Sequence, residues 1–346
     1  MMSFRDERLS KFVIPTGIVW MMEDVAEAKG RQQLYAKQSP QILDALREMA
    51  LIQSAESSNR IEGVTVARDR LRPLVLGNVT PRDRSEQEVQ GYRQALNLIH
   101  TRATELPVTP ELLRQFHHII QEGGHDAGQW KQSENDIIEL RPGAAPVIRF
   151  RPLSAAATPA AVEELCLLYR HTLNQSSVAT FSVVACLILD FLCIHPFRDG
   201  NGRVSRLLTL LAIYQQGYEF GRYISLERLV EDSREDYYEA LRRSSEGWHE
   251  GKHDVVPWLT YFVTILRRAA REFEQRAGEM KTPYGAKTEL IETALASFAG
   301  KFTVTDIERI CPGVGRDLIR SILREKQKAG LVECLGRGPG AAWQRL

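Results

Sequence analysis

The chain has 346 residues, 43% of them hydrophobic and 26% charged, and 45 Lys and Arg against 44 Asp and Glu leave a net charge of +1. That composition is ordinary for a globular protein with a sizeable core in two domains or so, and it supplies no global field for nucleic acid or a membrane surface. The five cysteines form no C-x-x-C pair; Cys166, Cys186 and Cys193 lie in apolar helical stretches and read as small core residues, which fits a reduced, cytoplasmic setting.

At the start, Arg5, Asp6, Glu7, Arg8 and Lys11 leave no continuous apolar run of signal-peptide type. Trp20, Met21, Met22 and Val25 offer anchors for an extended segment and a first helix. Pro40 after Ser39 reads as a first helical residue. From there Ile42, Leu43, Leu46, Met49, Ala50 and Ile52 recur at helical spacing, which predicts a helix to roughly Ser57, with Gly63 as a stop beyond it. Pro73 and Pro81 punctuate polar helices between Val66 and Arg93. Val89, Tyr92, Ala95, Leu96 and Ile99 mark one face of a helix over 86–99. Thr109 and Pro110 read as cap and first residue of the next helix, which carries Leu112, Leu113, Phe116, Ile119 and Ile120. His117 and His118 on that helix point about 100° apart, so packing and surface roles fit them better than one shared metal.

Gly123 to Gly128 breaks the pattern. Asp136 to Leu140 and Val147 to Phe150 flank a turn at 141–146 and predict a β-hairpin. A helix follows from Thr158 to Leu173, with Val162, Leu165, Cys166 and Tyr169 inward. The longest apolar run, Val178 to Ile194, approaches membrane-spanning length, but it carries Thr180, Ser182 and Asp190 and reads as a buried core helix. After the polar segment 195–206, the apolar run Leu207 to Tyr214 ends at Gly217. Leu229 and Val230 belong to one further helix, and Asp236 opens another that bears Tyr237 and Tyr238. A long amphipathic helix over 256–273 runs into a polar connector, 274–284. The last unit, from about Ala286, reads as helix (288–299), strand (302–304), helix (305–310), turn (Pro312-Gly313), helix (316–329), strand (331–335), Gly-rich turn (336–340) and strand (341–343).

The polar segment between two apolar runs, His195-Pro196-Phe197-Arg198-Asp199-Gly200-Asn201-Gly202-Arg203-Val204-Ser205-Arg206, needs a reason. Gly200 and Gly202 let backbone N–H groups converge. If Asn201 to Arg203 open a helix, its unpaired donors and positive dipole end face the same point. Arg203 and Arg206 share one face of that helix and add two cations. That describes a polyphosphate cradle. Asp199 supplies a hard oxygen of the kind Mg²⁺ uses when bridging phosphates, and His195 can take a proton near neutral pH.

The segment resembles the signature of the Fic family, His-x-Phe-x-Asp/Glu-Gly-Asn-Gly-Arg-x-x-Arg, at every specified position. Ser58, Glu62 and Gly63 also match the pattern of the class that carries an inhibitory helix upstream: Ser or Thr, three residues, Glu, then Gly or Asn. The resemblance implies a mainly α fold, a Fic-type helical bundle with a small β-hairpin flap, followed here by a C-terminal winged helix-turn-helix. It divides the chain into an N-terminal helical region with the inhibitory motif (1–100), a Fic core (101–275) and a winged-helix-like domain (285–346).

By the same resemblance, the activity is protein adenylyl transfer. ATP gives AMP to a Ser, Thr or Tyr hydroxyl, and diphosphate leaves. His195 is the base and Asp199 the Mg²⁺ ligand. Gly200, Asn201, Gly202, Arg203 and Arg206 bind the nucleotide, and Tyr237 and Tyr238 shape its adenine side. Ile137 and Ile138 lie in the flap that docks the target by strand addition. Glu62 pairs with Arg206 and withholds it from the terminal phosphate. Relatives often carry Asn where this chain has Ser245, a departure that removes an amide donor and acceptor from the adenine side. Removal of AMP through Glu62, self-modification and a homodimer are compatible with the resemblance. Alternatives are a nucleotide-responsive DNA-binding regulator, and phosphate or phosphocholine transfer on the same scaffold. The DNA reading rests on Arg316, Arg320, Arg324, Lys326 and Lys328 of the last helix and on Arg337 in the wing.

Overall fold

The structure, a computed structural model, describes residues 2–36, 40–139, 145, 147–279, 283–298, 300–311, 314–336, 338 and 340–345. Helices dominate it. In order come α1 (Arg8–Lys11), α2 (Thr16–Ala36), α3 (Pro40–Ile61), α4 (Arg68–Val75), α5 (Arg84–Arg102) and α6 (Pro110–Ile120). A hairpin of β1 (Ile137–Glu139) and β2 (Val147–Phe150) follows. Then come α7 (Thr158–Gln175), α8 (Thr180–Ile194), α9 (Asn201–Gln215), α10 (Leu226–Asp232), α11 (Arg234–Ser245) and α12 (Val256–Glu279). The C-terminal unit comprises α13 (Pro283–Ser297), β3 (Phe302–Thr303), α14 (Val304–Ile310), α15 (Arg316–Lys328), β4 (Val332–Cys334) and β5 (Ala342–Arg345).

The apolar run of α8 is the centre of the main core, buried almost throughout and packed by α7, α9, α11 and α12. No described helix is long and apolar enough to cross a membrane. Asp190 on α8 is fully buried and accepts from Ser3 N–H (2.7 Å), Ser3 Oγ (3.0 Å) and Trp248 Nε1 (2.7 Å), so the start of the chain is stitched into the core. Burial pushes its carboxyl up to about 6.

Several boundaries move for local reasons. α3 runs past the expected Ser57 to Ile61, because Ser58 and Asn59 are buried with partners and not solvated at a helix end. α5 starts at Arg84, where Asp83 caps it by accepting from Glu86 N–H at 2.9 Å. The connector expected from Glu274 is helical to Glu279. Glu272 pairs with Arg228 (2.6 Å) and Arg276 (2.8 Å), and Glu274 pairs with Arg31 (2.6 Å), so these charges bind the helix to its neighbours. α2 lies along α12, with Trp20 outward beneath the Arg267 guanidinium at 4.2 Å.

The hairpin is antiparallel, pairing Ile138 with Ile148 and Glu139 with Val147, and its register shifts between Ile137 and Ile138. Of its expected turn, only Ala145 falls within the described residues. Ser39, Leu140, Pro312, Gly313 and Arg337 also lie outside them. The C-terminal unit packs its own core around Ile291, Phe302, Ile307, Ile319, Leu323 and Trp343, separate from the main core. Its three strands are antiparallel in the order β3-β5-β4. Arg72 of α4 joins the two bodies, donating to Ile310 O at 2.6 Å while it pairs with Glu48 of α3.

Candidate active site

Two left-handed residues shape the loop between α8 and α9. Pro196 closes the right-handed helical region to the residue before it, and His195 ends α8 with φ 51° and ψ 62°. Gly200, with φ 80°, turns the chain into α9 and becomes its N-cap without a capping side chain, which leaves the first N–H groups of α9 free of side-chain acceptors. A Cβ at Gly200 would sit 3.3 Å from the His117 ring. Between them, Phe197 is fully buried and stacks on His117 at 3.9 Å. Asn201 Oδ1 accepts from Phe197 N–H (2.9 Å), and its Nδ2 donates to Phe197 O (2.7 Å). Asn201 is therefore a clasp for the loop.

His195 Nδ1 lies 3.3 Å from Leu192 O. A carbonyl only accepts, so Nδ1 carries the proton and the neutral ring holds its lone pair on Nε2. Burial first, and then the charge of Lys131, hold the ring down at about 4. The imidazole is neutral at physiological pH.

Arg206, on the first turns of α9, is buried and bonded to Ser58 of α3 and to Glu62 just beyond it. Its Nε donates to Ser58 Oγ (2.8 Å), and its Nη2 donates to Ser58 O (2.9 Å) and Glu62 Oε1 (2.7 Å). Glu62 reaches this point because the turn that follows α3 closes on Gly63, with φ 83°, while Glu62 N–H bonds Asn59 O at 3.0 Å. Its carboxylate lies directly over α9: a Cβ at Gly202 would meet Glu62 Oε1 at 2.2 Å. Ser58 and Glu62 of the motif thus both bond Arg206, while Gly63 supplies the turn that follows them.

Arg203 stands apart from that arrangement. Its side chain is 1% exposed and pairs with Glu88 of α5, with Asp199 at 2.9 Å and with Asn59 Oδ1 at 3.4 Å. Its charge is balanced within the protein. Asp199 is exposed and uses Oδ2 for Arg203 and for Gln121 Nε2 (2.9 Å). Among the described residues no three metal-ligating side chains converge.

A cavity of about 890 Å³ opens above these groups. Glu62, His195, Gly202 and Arg206 line its floor, Tyr237, Tyr238 and Ser245 of α11 one wall, and Ile137, Ile138 and Arg149 of the hairpin its rim. Tyr237 and Tyr238 meet edge to face at 5.2 Å, and the Arg149 guanidinium lies 5.5 Å from the Tyr238 ring. Ile138 is 53% exposed, an apolar side chain on the open hairpin. Gly200, Asn201, Arg203 and Asp199 sit behind the lining, Asp199 facing solvent.

Four residues here were not singled out as site residues by sequence reasoning. Lys131 is buried and bonds Ile194 O. Asn135 donates to Phe197 O at 2.9 Å. His117 accepts from Gly128 N–H at Nδ1 (2.9 Å) and donates from Nε2 to Asp199 O (3.1 Å). Burial holds it down at about 4, so it packs as a neutral ring, while His118 is exposed. Glu88 could have been found, since it shares the apolar face of Tyr92, Ala95 and Ile99, where a carboxylate needs a buried partner.

Residues 107–213 match the Fic/DOC family. A Fido domain-containing protein of Dictyostelium discoideum is 31% identical over 99 residues, 28% of this chain and 65% of that protein. Protein adenylyltransferase fic-1 of Caenorhabditis briggsae is 26% identical over 243 residues, 65% of this chain and 41% of that protein. The chain thus spans less than two thirds of the length of these curated relatives. A Fic family protein from Desulfovibrio desulfuricans G20 superposes with a TM-score of 0.62 over 97% of each chain at 19% identity, a likeness of fold. With the loop 195–206 and the opening of α9 inside the matched region, the chain carries a domain of the Fic/DOC family.

Proposed function

We propose that the protein transfers AMP from ATP to a Ser, Thr or Tyr hydroxyl of a target protein, and that Glu62 restrains it. One observation carries the reading: a single cavity unites a neutral His195, the opening of α9, Arg206, the tyrosine pair, Glu62 and the open hairpin. Its volume falls in the range of about 300–1,000 Å³ common for small-molecule sites.

His195 Nε2 accepts the proton of the target hydroxyl as that oxygen attacks the α-phosphorus of ATP. The new O–P bond forms, the bond to the bridging oxygen breaks, and diphosphate leaves with the electron pair. The uncapped N–H groups of α9 face charge developing on the transferring group. Arg206 holds the terminal phosphate once Glu62 gives it up. Asp199 would be the residue to hold magnesium, which would supply charge neutralisation for the phosphates. Tyr237 and Tyr238 border the base, and the rim at Ile137 and Ile138 offers a strand edge to an extended target segment. While Glu62 occupies Arg206, nucleotide enters with its α-phosphate out of line.

The test is label transfer from ATP carrying the label at the α- or the γ-phosphate. Adenylyl transfer moves only the α label and stops in His195→Ala; movement of the γ label would turn the reading to phosphate transfer. The DNA reading gains no specific support. Arg316 pairs with Glu308 at 2.6 Å, Lys326 pairs with Glu292, and Arg320 lies 3.9 Å from Asp317, so three of its five helical cations face carboxylates of their own unit.

A further inference from the structure

His195 sits in a conformation that non-glycine residues rarely adopt. Something must hold it there. On its N-terminal side, α8 supplies one backbone bond, from His195 N–H to Phe191 O at 2.9 Å. The two carbonyls that flank it, of Ile194 and Pro196, are both taken by one residue outside the signature. Lys131 N–H donates to Pro196 O at 2.9 Å, and Lys131 Nζ donates to Ile194 O at 3.2 Å.

We propose that Lys131 is a positioning residue for His195, fixing the left-handed backbone of the base by holding the carbonyls on both sides of it. The inference rests on the reading of His195 as the base. The lysine is 4% exposed, and burying an ammonium is costly unless it is well partnered. An apolar side chain would fill the same space without that cost, so packing alone does not account for a lysine. Its neighbour Asn135 extends the stitching to Phe197 O at 2.9 Å, which places the whole 131–135 segment as a splint along the loop. The geometry also puts a cation beside the imidazole, which Glu62 and Asp199 face with the opposite sign. Burial pulls Lys131 itself down to about 8, so it is still largely charged at pH 7.

The position and charge of Lys131 have separable consequences. In the Glu62→Gly background, Lys131→Met is expected to lower kcat at pH 7 about 10- to 100-fold through misplacement of the base. KM for ATP is expected to stay within about twofold, since binding energy is left intact. The acid limb of the kcat profile should move to higher pH, because the neighbouring positive charge is gone. A more basic imidazole would by itself speed proton removal, so a slower enzyme with a raised limb reports lost position. Lys131→Arg keeps charge and donors and should restore most of kcat with the limb back in place.

The titration of the His195 ring, followed by NMR in the otherwise unaltered protein, gives a readout that needs no transfer. It should move up in Lys131→Met and stay put in Lys131→Arg. An unchanged kcat in Lys131→Met, or a His195 titration that does not move, overturns the proposal. If Glu62→Gly transfers nothing, the functional reading fails, and the ring titration still decides the role of Lys131. If Lys131→Met does not fold, Lys131→Arg decides: a limb that shifts with charge and donors retained refutes it.

Discussion

Replacing Glu88 by Gln tests whether Arg203 is a cation balanced inside the protein. The pair is buried, with side-chain exposures of 1% for Arg203 and 11% for Glu88. Breaking such a pair by removing one charge costs about 3–5 kcal/mol. The lower end applies here, about 3 kcal/mol, because Gln keeps an acceptor and Asp199 still pairs with Arg203. Asp199 is 67% exposed, so solvent screens most of what it offers in return. For a chain of this size, about 2–4 °C per kcal/mol places the fall in thermal midpoint at about 6–12 °C. Differential scanning calorimetry should follow the transition of the main core, since the C-terminal unit has a core of its own. The same change leaves Asp199 as the carboxylate paired with Arg203, so the magnesium concentration needed for half-maximal transfer should rise. A midpoint within about 2 °C of wild type would refute the claim that Glu88 balances Arg203.

Two other perturbations follow from the structure. Burial, first among the causes, lowers His100, His117, His195 and His253 from 6.5 to about 4. Their contribution to stability is present above pH 6.5 and is lost as pH falls toward 4. Asp190, raised from 3.8 to about 6, works in the opposite sense, its contribution returning as pH falls through 6. With four groups against one, the thermal midpoint should be lower at pH 5 than at pH 7, and a level midpoint would contradict the burial argument. At the rim, Ile138→Asp places a charge on an exposed apolar position; it should raise KM for the protein target at least about threefold, as expected of a lost apolar contact, while ATP binding by calorimetry stays unchanged.

What the sequence makes legible here is local. The order of residues 195–206 dictates a helix stop before Pro196, a left-handed glycine and a helix start, so loop and α9 follow from the chain itself. The amphipathic faces of α5 and α6 and the apolar run of α8 are read from spacing alone. What escapes is whatever depends on a distant partner. Lys131 and Asn135 meet the 194–197 carbonyls across some sixty residues of chain, and nothing in their neighbourhood announces it. The end of α12 escapes for the same reason: its polarity resembles a connector, and only Arg31 and Arg228 show why Glu274 and Glu272 stay helical. Arg203 is the instructive case. Its place in the signature suggests phosphate, yet Glu88, Asp199 and Asn59 already surround it.

In the proposed mechanism Arg206 is contested between Glu62 and the terminal phosphate of ATP. Glu62→Gly removes the carboxylate that lies 2.7 Å from Arg206 Nη2 and leaves Ser58 to hold the guanidinium. A hydrogen bond between charged groups contributes about 1.5–3 kcal/mol, so its loss should raise transfer by about 10- to 100-fold. The measurement is intact mass after incubation with magnesium and ATP. Folded Glu62→Gly protein should gain the mass of one AMP per modified hydroxyl well ahead of wild type. Equal modification of the two proteins, or none in a variant shown to be folded, would contradict it.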